Sequence, residues 1–267
     1  MNDANHPRGD RALRLGLIDG DGIGPEVVRA AGQVVDEALS AAGAAPVEWV
    51  PLAMGHRAIA EFGTPLPERT LEELAEVDAW ILGPHDNASY PAEHRVAPGG
   101  VIRKRFDLYA NIRPARAFAG VRAAAPDIDL VIVRENSEGF YADRNMFAGS
   151  GEFRPTPDIA MSVGLVTRAA CERIAHQAFR LAATRRKRVT IVHKANVLPL
   201  TMGLFRDVCR EVGLAYPGVE VDDEHVDAGG PPRGRPPPPQ AQKVTHKILF
   251  GIQKRPARGY SGSRGLA

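Results

Sequence analysis

Apolar runs of strand length alternate with amphipathic stretches of helix length through the first 228 residues, and then the alternation stops. Residues 13–18 (LRLGLI) form the first run and end in the turn DGDGIGPE, whose Pro25 suits a first helical position. Residues 26–41 then place apolar side chains at helical spacing. The same reasoning predicts strands at 47–52, 79–82 (a buried one), 107–112, 130–133, 189–193 and 219–222, with an extended segment at 158–166. Helices are predicted at 58–62, 68–75, 168–183 and 199–212, and a polar loop at 85–100. Strands alternating with helices indicate an α/β layered architecture, and 267 residues suffice for one large or two medium domains.

Charge sharpens the break at residue 228. Eight of the 34 Lys and Arg residues, and none of the 32 Asp and Glu, fall in 229–267, so the first 228 residues carry a net charge of −6. The basic pI therefore belongs to the tail and gives no argument for nucleic-acid binding by the whole chain. The tail opens GGPPRGRPPPPQAQ, in which proline removes backbone donors and blocks helix continuation. Disorder is expected there, with only 244–252 (VTHKILFGI) able to order against a partner surface. Cys171 and Cys209 lie inside predicted helices without metal-ligand spacing, which fits a reducing compartment. No apolar stretch approaches a bilayer span, and the N-terminus lacks the apolar core of a signal peptide. A soluble cytoplasmic protein is expected.

The candidate chemistry is cationic. Arg103, Arg113 and Arg134 are expected at strand ends and turns, where open α/β sheets place ligands, and guanidinium forks match carboxylates. Surface ion pairs are the competing use for the same residues. Lys194 ends an apolar run beside Asn196, a setting that can desolvate an amine into a base. Tyr141, in RENSEGFYADRN, becomes a proton donor if a cation lies close; otherwise it packs. Gly20, Gly22, Ile23 and Gly24 make a turn that lets a cofactor approach the backbone, although the spacing is not that of the dinucleotide fingerprint. Asp222, Asp223, Glu224 and Asp227 form either a solvated turn or a hard-cation site.

Taken in order, GDGIGPE, IRKRFDLYANIRP, VRENSEGFY, VHKANVL and DEHVDA resemble the NAD(P)-dependent β-decarboxylating dehydrogenases over roughly 13–228. The resemblance implies a two-domain isopropylmalate-dehydrogenase-like α/β fold: a first domain at 1–100, a second at 101–228, and a dimerisation arm at 145–166. It implies that Arg103, Arg113 and Arg134, with Asn196, bind the substrate. Tyr141 would protonate the enol carbon, Lys194 would act at the hydroxyl, and Asp227 would bind Mg²⁺ or Mn²⁺. The cofactor would be NAD, with NADP not ruled out by the sequence, and Lys194 and Asp227 would serve the partner's site in a homodimer. No nucleic acid or membrane is expected as a partner.

Two departures qualify this. Ala97 stands where isocitrate enzymes have a serine for the γ-carboxylate, so isocitrate, 3-isopropylmalate and tartrate all stay open. The family's further aspartates and adenine-ribose loop have no counterpart after Ala228. The resemblance thus implies that the C-terminal part of the first domain is missing, by truncation or frameshift. Impaired stability and activity are expected, the alternative being an inactive remnant that pairs with an intact homologue.

Overall fold

In the computed structural model, the described residues are 12–94, 96–122, 128–141, 146–227 and the backbone of 242–246. They fall in two compact units, Met1–Phe106 and Asp107–Ala267. The division lies past the boundary expected after residue 100 because Ile102 is buried in the first unit's core with Ile18, Leu52, Met54, Leu71 and Leu74.

The first unit is built on three parallel strands, with β1 (Arg14–Ile18) between β2 (Glu48–Leu52) and β3 (Ala79–Leu82). A parallel pair needs a crossover, and α1 (Gly24–Ala41), with proline in its first turn, supplies it between β1 and β2. Helices α2 (His56–Phe62) and α3 (Glu68–Glu76) lead from β2 to β3. Strand β3, expected to be buried, is half-exposed, because it is an edge strand in the described sheet. A further helix, α4 (Pro98–Arg105), occupies the end of the expected loop.

One carboxylate ties this unit together. Asp21 is buried in the β1–α1 turn and accepts from the His56 and Asp86 backbone N–H groups, at 2.8 and 2.9 Å, and from the Tyr90 hydroxyl, at 2.6 Å. Burial works to raise the Asp21 carboxyl, but the hydrogen bonds from Tyr90, His56 and Asp86 outweigh it and hold the group below its ordinary value. The Tyr90 phenol is pushed up by burial and by that same bond.

The second unit has a five-stranded sheet. β4 (Ala110–Arg116) runs antiparallel to β5 (Asp129–Glu135), and the hairpin of β6 (Glu152–Thr156) and β7 (Ile159–Ser162) stands apart as a two-stranded ribbon. Helix α5 (Arg168–Ala183) leads to β8 (Arg188–His193), and α6 (Thr201–Gly213) crosses to the parallel β9 (Glu220–His225). On α5, Cys171, Ile174, Ala175, Ala178, Phe179 and Ala182 recur at helical spacing and are fully buried against Val131, Val133, Val189, Ile191 and the Phe205, Val208 and Cys209 face of α6. Both cysteines are free and buried, and burial raises the Cys171 thiol to about 12. No described helix is long and apolar enough to cross a membrane.

The tail corrects an expectation. Residues Gln242–His246 form β10, which lies parallel between β5 and β8 and pairs with both. Residues 244–246 of the segment expected to order only against a partner surface instead pair within their own chain's sheet, because β5 and β8 each need a backbone neighbour. The remaining tail lies outside the described residues, as does Asn145 of the expected arm.

Two outcomes follow. Val244→Pro removes a ladder donor from a central strand and should cost about 1–3 kcal/mol for each backbone group left unpaired, read as a lower urea midpoint. Because the Asp21 carboxyl is lowered by folding, its stabilisation is complete above the unfolded carboxyl value and is lost as pH falls through the folded one. Asp21→Ala, which strands three donors, should cost about 3 kcal/mol near neutrality. Asp21→Asn should flatten the fall in melting temperature below about pH 4.

Candidate active site

The glycine turn divides into packed and open halves. Gly20 has φ +71°, and a Cβ there would sit 2.0 Å from the Pro84 carbonyl oxygen; at Gly24 it would sit 2.0 Å from that of Asp19. These two glycines serve backbone packing, since only a missing side chain permits such an approach. Gly22, also at positive φ, faces open space, and Ile23 is 67% exposed. Of the four residues expected at a cofactor, these two form the accessible tip ahead of α1.

Arg103 is not at a strand end. It lies in the last turn of α4, a helix hidden in the sequence by Pro98-Gly99-Gly100 and fixed by burial of Ile102. Arg103 follows Gly99 by four residues, so the two stack on one face of the helix. The His85 ring lies against Gly99, where a Cβ would meet Cε1 at 2.7 Å and Nε2 at 2.9 Å.

In the second unit, Arg113 lies in the middle of β4 rather than at its end, exposed, and its Nε donates to Asn111 Oδ1 at 2.9 Å. Asn111 is in register with Arg134 across the β4–β5 pair. Alternation along β5 buries Val131, Val133 and Glu135 on the helix-covered face. It turns Arg134, with Asn111 and Arg113 beside it, to the opposite face. There the Arg134 guanidinium donates to the Tyr141 hydroxyl and lies 5.8 Å from the centre of its ring.

The turn beyond β5 is held by carboxylates. Glu135, 1% exposed, accepts from the backbone N–H of Ser137 at 2.9 Å and of Glu138 at 2.7 Å, and from the Ser137 hydroxyl at 2.5 Å. Glu138 in turn accepts from the Thr167 N–H at 2.8 Å and hydroxyl at 2.5 Å, and Thr167 caps α5. Arg173 of α5 donates to the Ser137 hydroxyl at 2.6 Å and to Asp107 at 2.8 Å.

Lys194 follows β8. Residues 192 and 134 both pair with residue 245, so their Cα atoms are about 9.5 Å apart, two strand spacings. The Lys194 ammonium, mostly buried, is in ionic contact with the exposed Asp227 carboxylate. Its carbonyl accepts from Val197 and Leu198, at 3.1 and 2.9 Å, forming a turn on which Asn196 is exposed.

Sequence reasoning missed the support beneath Lys194. His193 is buried; its Nδ1 accepts from the Ala195 N–H at 3.1 Å, so Nε2 carries the proton and donates to Asp223 at 3.0 Å. Burial works to raise the Asp223 carboxyl, but the bonds from His193 and Arg210 bring it below its ordinary value. Asp222 is paired with Arg188 at 2.8 Å. Most of the acidic run therefore works within the fold. Among the described residues no group of three or more His, Cys, Asp or Glu side chains could hold a metal ion. Asp227 alone, already paired with Lys194, does not make a divalent-cation site.

Comparison with known proteins places this geometry. The Isocitrate/isopropylmalate dehydrogenase family profile matches residues 14–230. The isocitrate/homoisocitrate dehydrogenase of Thermus thermophilus is 39% identical over 262 residues, covering 96% of this chain and 73% of that protein. That match reaches past residue 230 into the proline-rich tail. The 3-isopropylmalate dehydrogenase of Archaeoglobus fulgidus is 38% identical over 80% of this chain and 60% of its own length. The crystal structure of isocitrate dehydrogenase from Methylococcus capsulatus superposes with a TM-score of 0.74 at 37% identity, covering 88% of this chain and 67% of that one. This chain belongs to the isocitrate/isopropylmalate dehydrogenase family, whose members are decarboxylating dehydrogenases.

Proposed function

We propose that this protein oxidises and decarboxylates a 2-hydroxy di- or tricarboxylic acid of the isocitrate or 3-isopropylmalate type. The observation that carries the reading is the pairing of the Arg134 guanidinium with the Tyr141 phenol beyond the carboxyl end of β5, with Arg113 on the same face. A guanidinium binds a carboxylate through two parallel bonds, and a phenol beside it can hand over a proton. Family membership adds the reaction class.

In this reading Arg113 and Arg134, on the second unit, grip carboxylates of the malate part, with Asn196 as a further contact; for Arg103, on the first unit, the support is the family resemblance alone. Lys194, offered to the partner's site in a homodimer, acts as or assists the base at the hydroxyl, taking the proton only in its neutral amine form, and Tyr141 delivers a proton to the enol carbon once CO₂ has left. Fixing the carboxylates holds the breaking bond in place. A nicotinamide dinucleotide, the cofactor type general in the family, would accept the hydride from C2. The open Gly22–Ile23 tip at the start of α1 fits its approach. The described residues do not fit a divalent ion, so no step is assigned to one. A cytoplasmic homodimer completes the reading. Its support is the β6–β7 hairpin, exposed along its whole length with Phe153, Ile159 and Met161 among its side chains.

The test is reduction of NAD or NADP with isocitrate, homoisocitrate, 3-isopropylmalate or tartrate, with Mg²⁺ or Mn²⁺ supplied, alongside calorimetric binding of each acid. Tyr141→Phe and Lys194→Met should each lower kcat by about 100-fold or more with little change in binding. Arg134→Gln should weaken binding itself. A wild-type chain that neither binds nor oxidises any of the four acids overturns the reading, as does a Lys194→Met variant with undiminished kcat.

A further inference from the structure

The peptide group between Lys194 and Ala195 is held at both ends. Its N–H donates to the ring Nδ1 of His193 at 3.1 Å, and its carbonyl accepts from the N–H groups of Val197 and Leu198 at 3.1 and 2.9 Å. The peptide group before Lys194 is held as well, because the His193 carbonyl accepts from the Val226 N–H at 2.9 Å. Each peptide group is planar, so fixing the plane on either side of a Cα atom fixes the backbone dihedrals there and the direction of its Cα–Cβ bond. The Lys194 side chain therefore leaves the backbone in one direction, and Asp227 meets its ammonium at the far end.

The side chain of His193 supplies one of these contacts. It is buried at the end of β8, and its ring can accept at Nδ1 only while the proton of the neutral ring sits on Nε2. The Asp223 carboxylate accepts from Nε2 at 3.0 Å and is itself held by Arg210 of α6. An acceptor on one ring nitrogen selects the tautomer in which the other can accept. The His225 ring meets the His193 ring edge-on, with centres 5.2 Å apart and planes at 84°. Ring orientation and proton position are thus both set from β9, and the free lone pair is aimed at the backbone beside the candidate base.

Resting on the functional reading above, we propose that His193 is a positioning residue: its Nδ1 bond to the Ala195 N–H holds Lys194 in the direction that the reaction needs. Asp223 completes the device by keeping the proton on Nε2. A base that must meet one hydroxyl proton depends on its placement, and an error of about 1 Å can cost about 100-fold in rate. The effect of His193 passes through the backbone, without contact to the substrate. It falls mainly on kcat, because Arg113 and Arg134 grip the carboxylates from other strands while Lys194 acts at the hydroxyl.

The experiment compares wild type with His193→Asn, His193→Gln and His193→Leu, with the melting temperature of each measured to confirm folding. An asparagine Oδ1 falls where Nδ1 stood and can still accept from Ala195, whereas the glutamine amide reaches only the Nε2 position and leucine accepts nothing. The Gln and Leu variants should therefore lose about 100-fold in kcat with little change in KM, and Asn should recover most of that loss. Two readouts need no turnover. Nitrogen NMR of wild type should show the His193 proton on Nε2. Acetylation of the Lys194 amine by acetic anhydride, followed by peptide mass, should run about 10-fold faster in the Leu variant, the worth of one hydrogen bond, and close to the wild-type rate in Asn. A proton on Nδ1 in wild type, a folded Leu variant with wild-type acetylation and kcat, or an Asn variant no better than Gln would overturn this inference and leave the functional reading standing. A wild type that oxidises none of the acids overturns the functional reading, while the NMR and acetylation results still decide whether His193 positions Lys194.

Discussion

The second unit depends on the carboxylate of Glu135 being turned inward. A buried carboxylate is tolerable only when its oxygens are satisfied. Here they collect two backbone N–H groups and a hydroxyl from Ser137 and Glu138, with Arg173 at 3.7 Å. That arrangement fixes the direction in which the chain leaves β5. Because alternate strand residues face opposite ways, an inward residue 135 forces residue 134 outward. Glu138 passes the constraint on to Thr167 and the start of α5. The Arg134–Tyr141 pair thus stands on a turn anchored to the core at both ends.

The first unit uses the same device with one carboxylate. Asp21 gathers donors from residues 35, 65 and 69 positions away in sequence. The glycines beside it, Gly20, Gly24 and Gly83, let the β1–α1 turn and the backbone just beyond β3 meet. In both units a negative charge organises the loops, while the groups fit for substrate anions are positive. The charges that build the scaffold and those that would bind are segregated by sign.

What the sequence disclosed follows physical range. The buried face of α5 and the inward-outward alternation of LVIVRE are local periodicities, and both were legible. So was the meeting of Arg134 with Tyr141, because both stand in one distinctive run. Asp21 was not, since its partners come from distant segments and a turn aspartate looks solvated on its own. Helix α4 was hidden because its first residues, Pro-Gly-Gly, read as loop, and burial of Ile102 outweighs their poor propensity. The His193–Asp223 pair was missed because an acidic run suggests solvent, whereas cross-strand register sets alternate members to different tasks.

The place of β10 in its sheet has a consequence for biogenesis. During synthesis β5 and β8 are both complete some fifty or more residues before the strand that separates them exists. Until then two apolar strands carry bare edges facing each other across an empty slot, the arrangement most open to mispairing. The second unit must therefore close late, and by a long-range insertion rather than by zipping neighbours together. Premature β5–β8 association on the ribosome would be the trap it has to avoid.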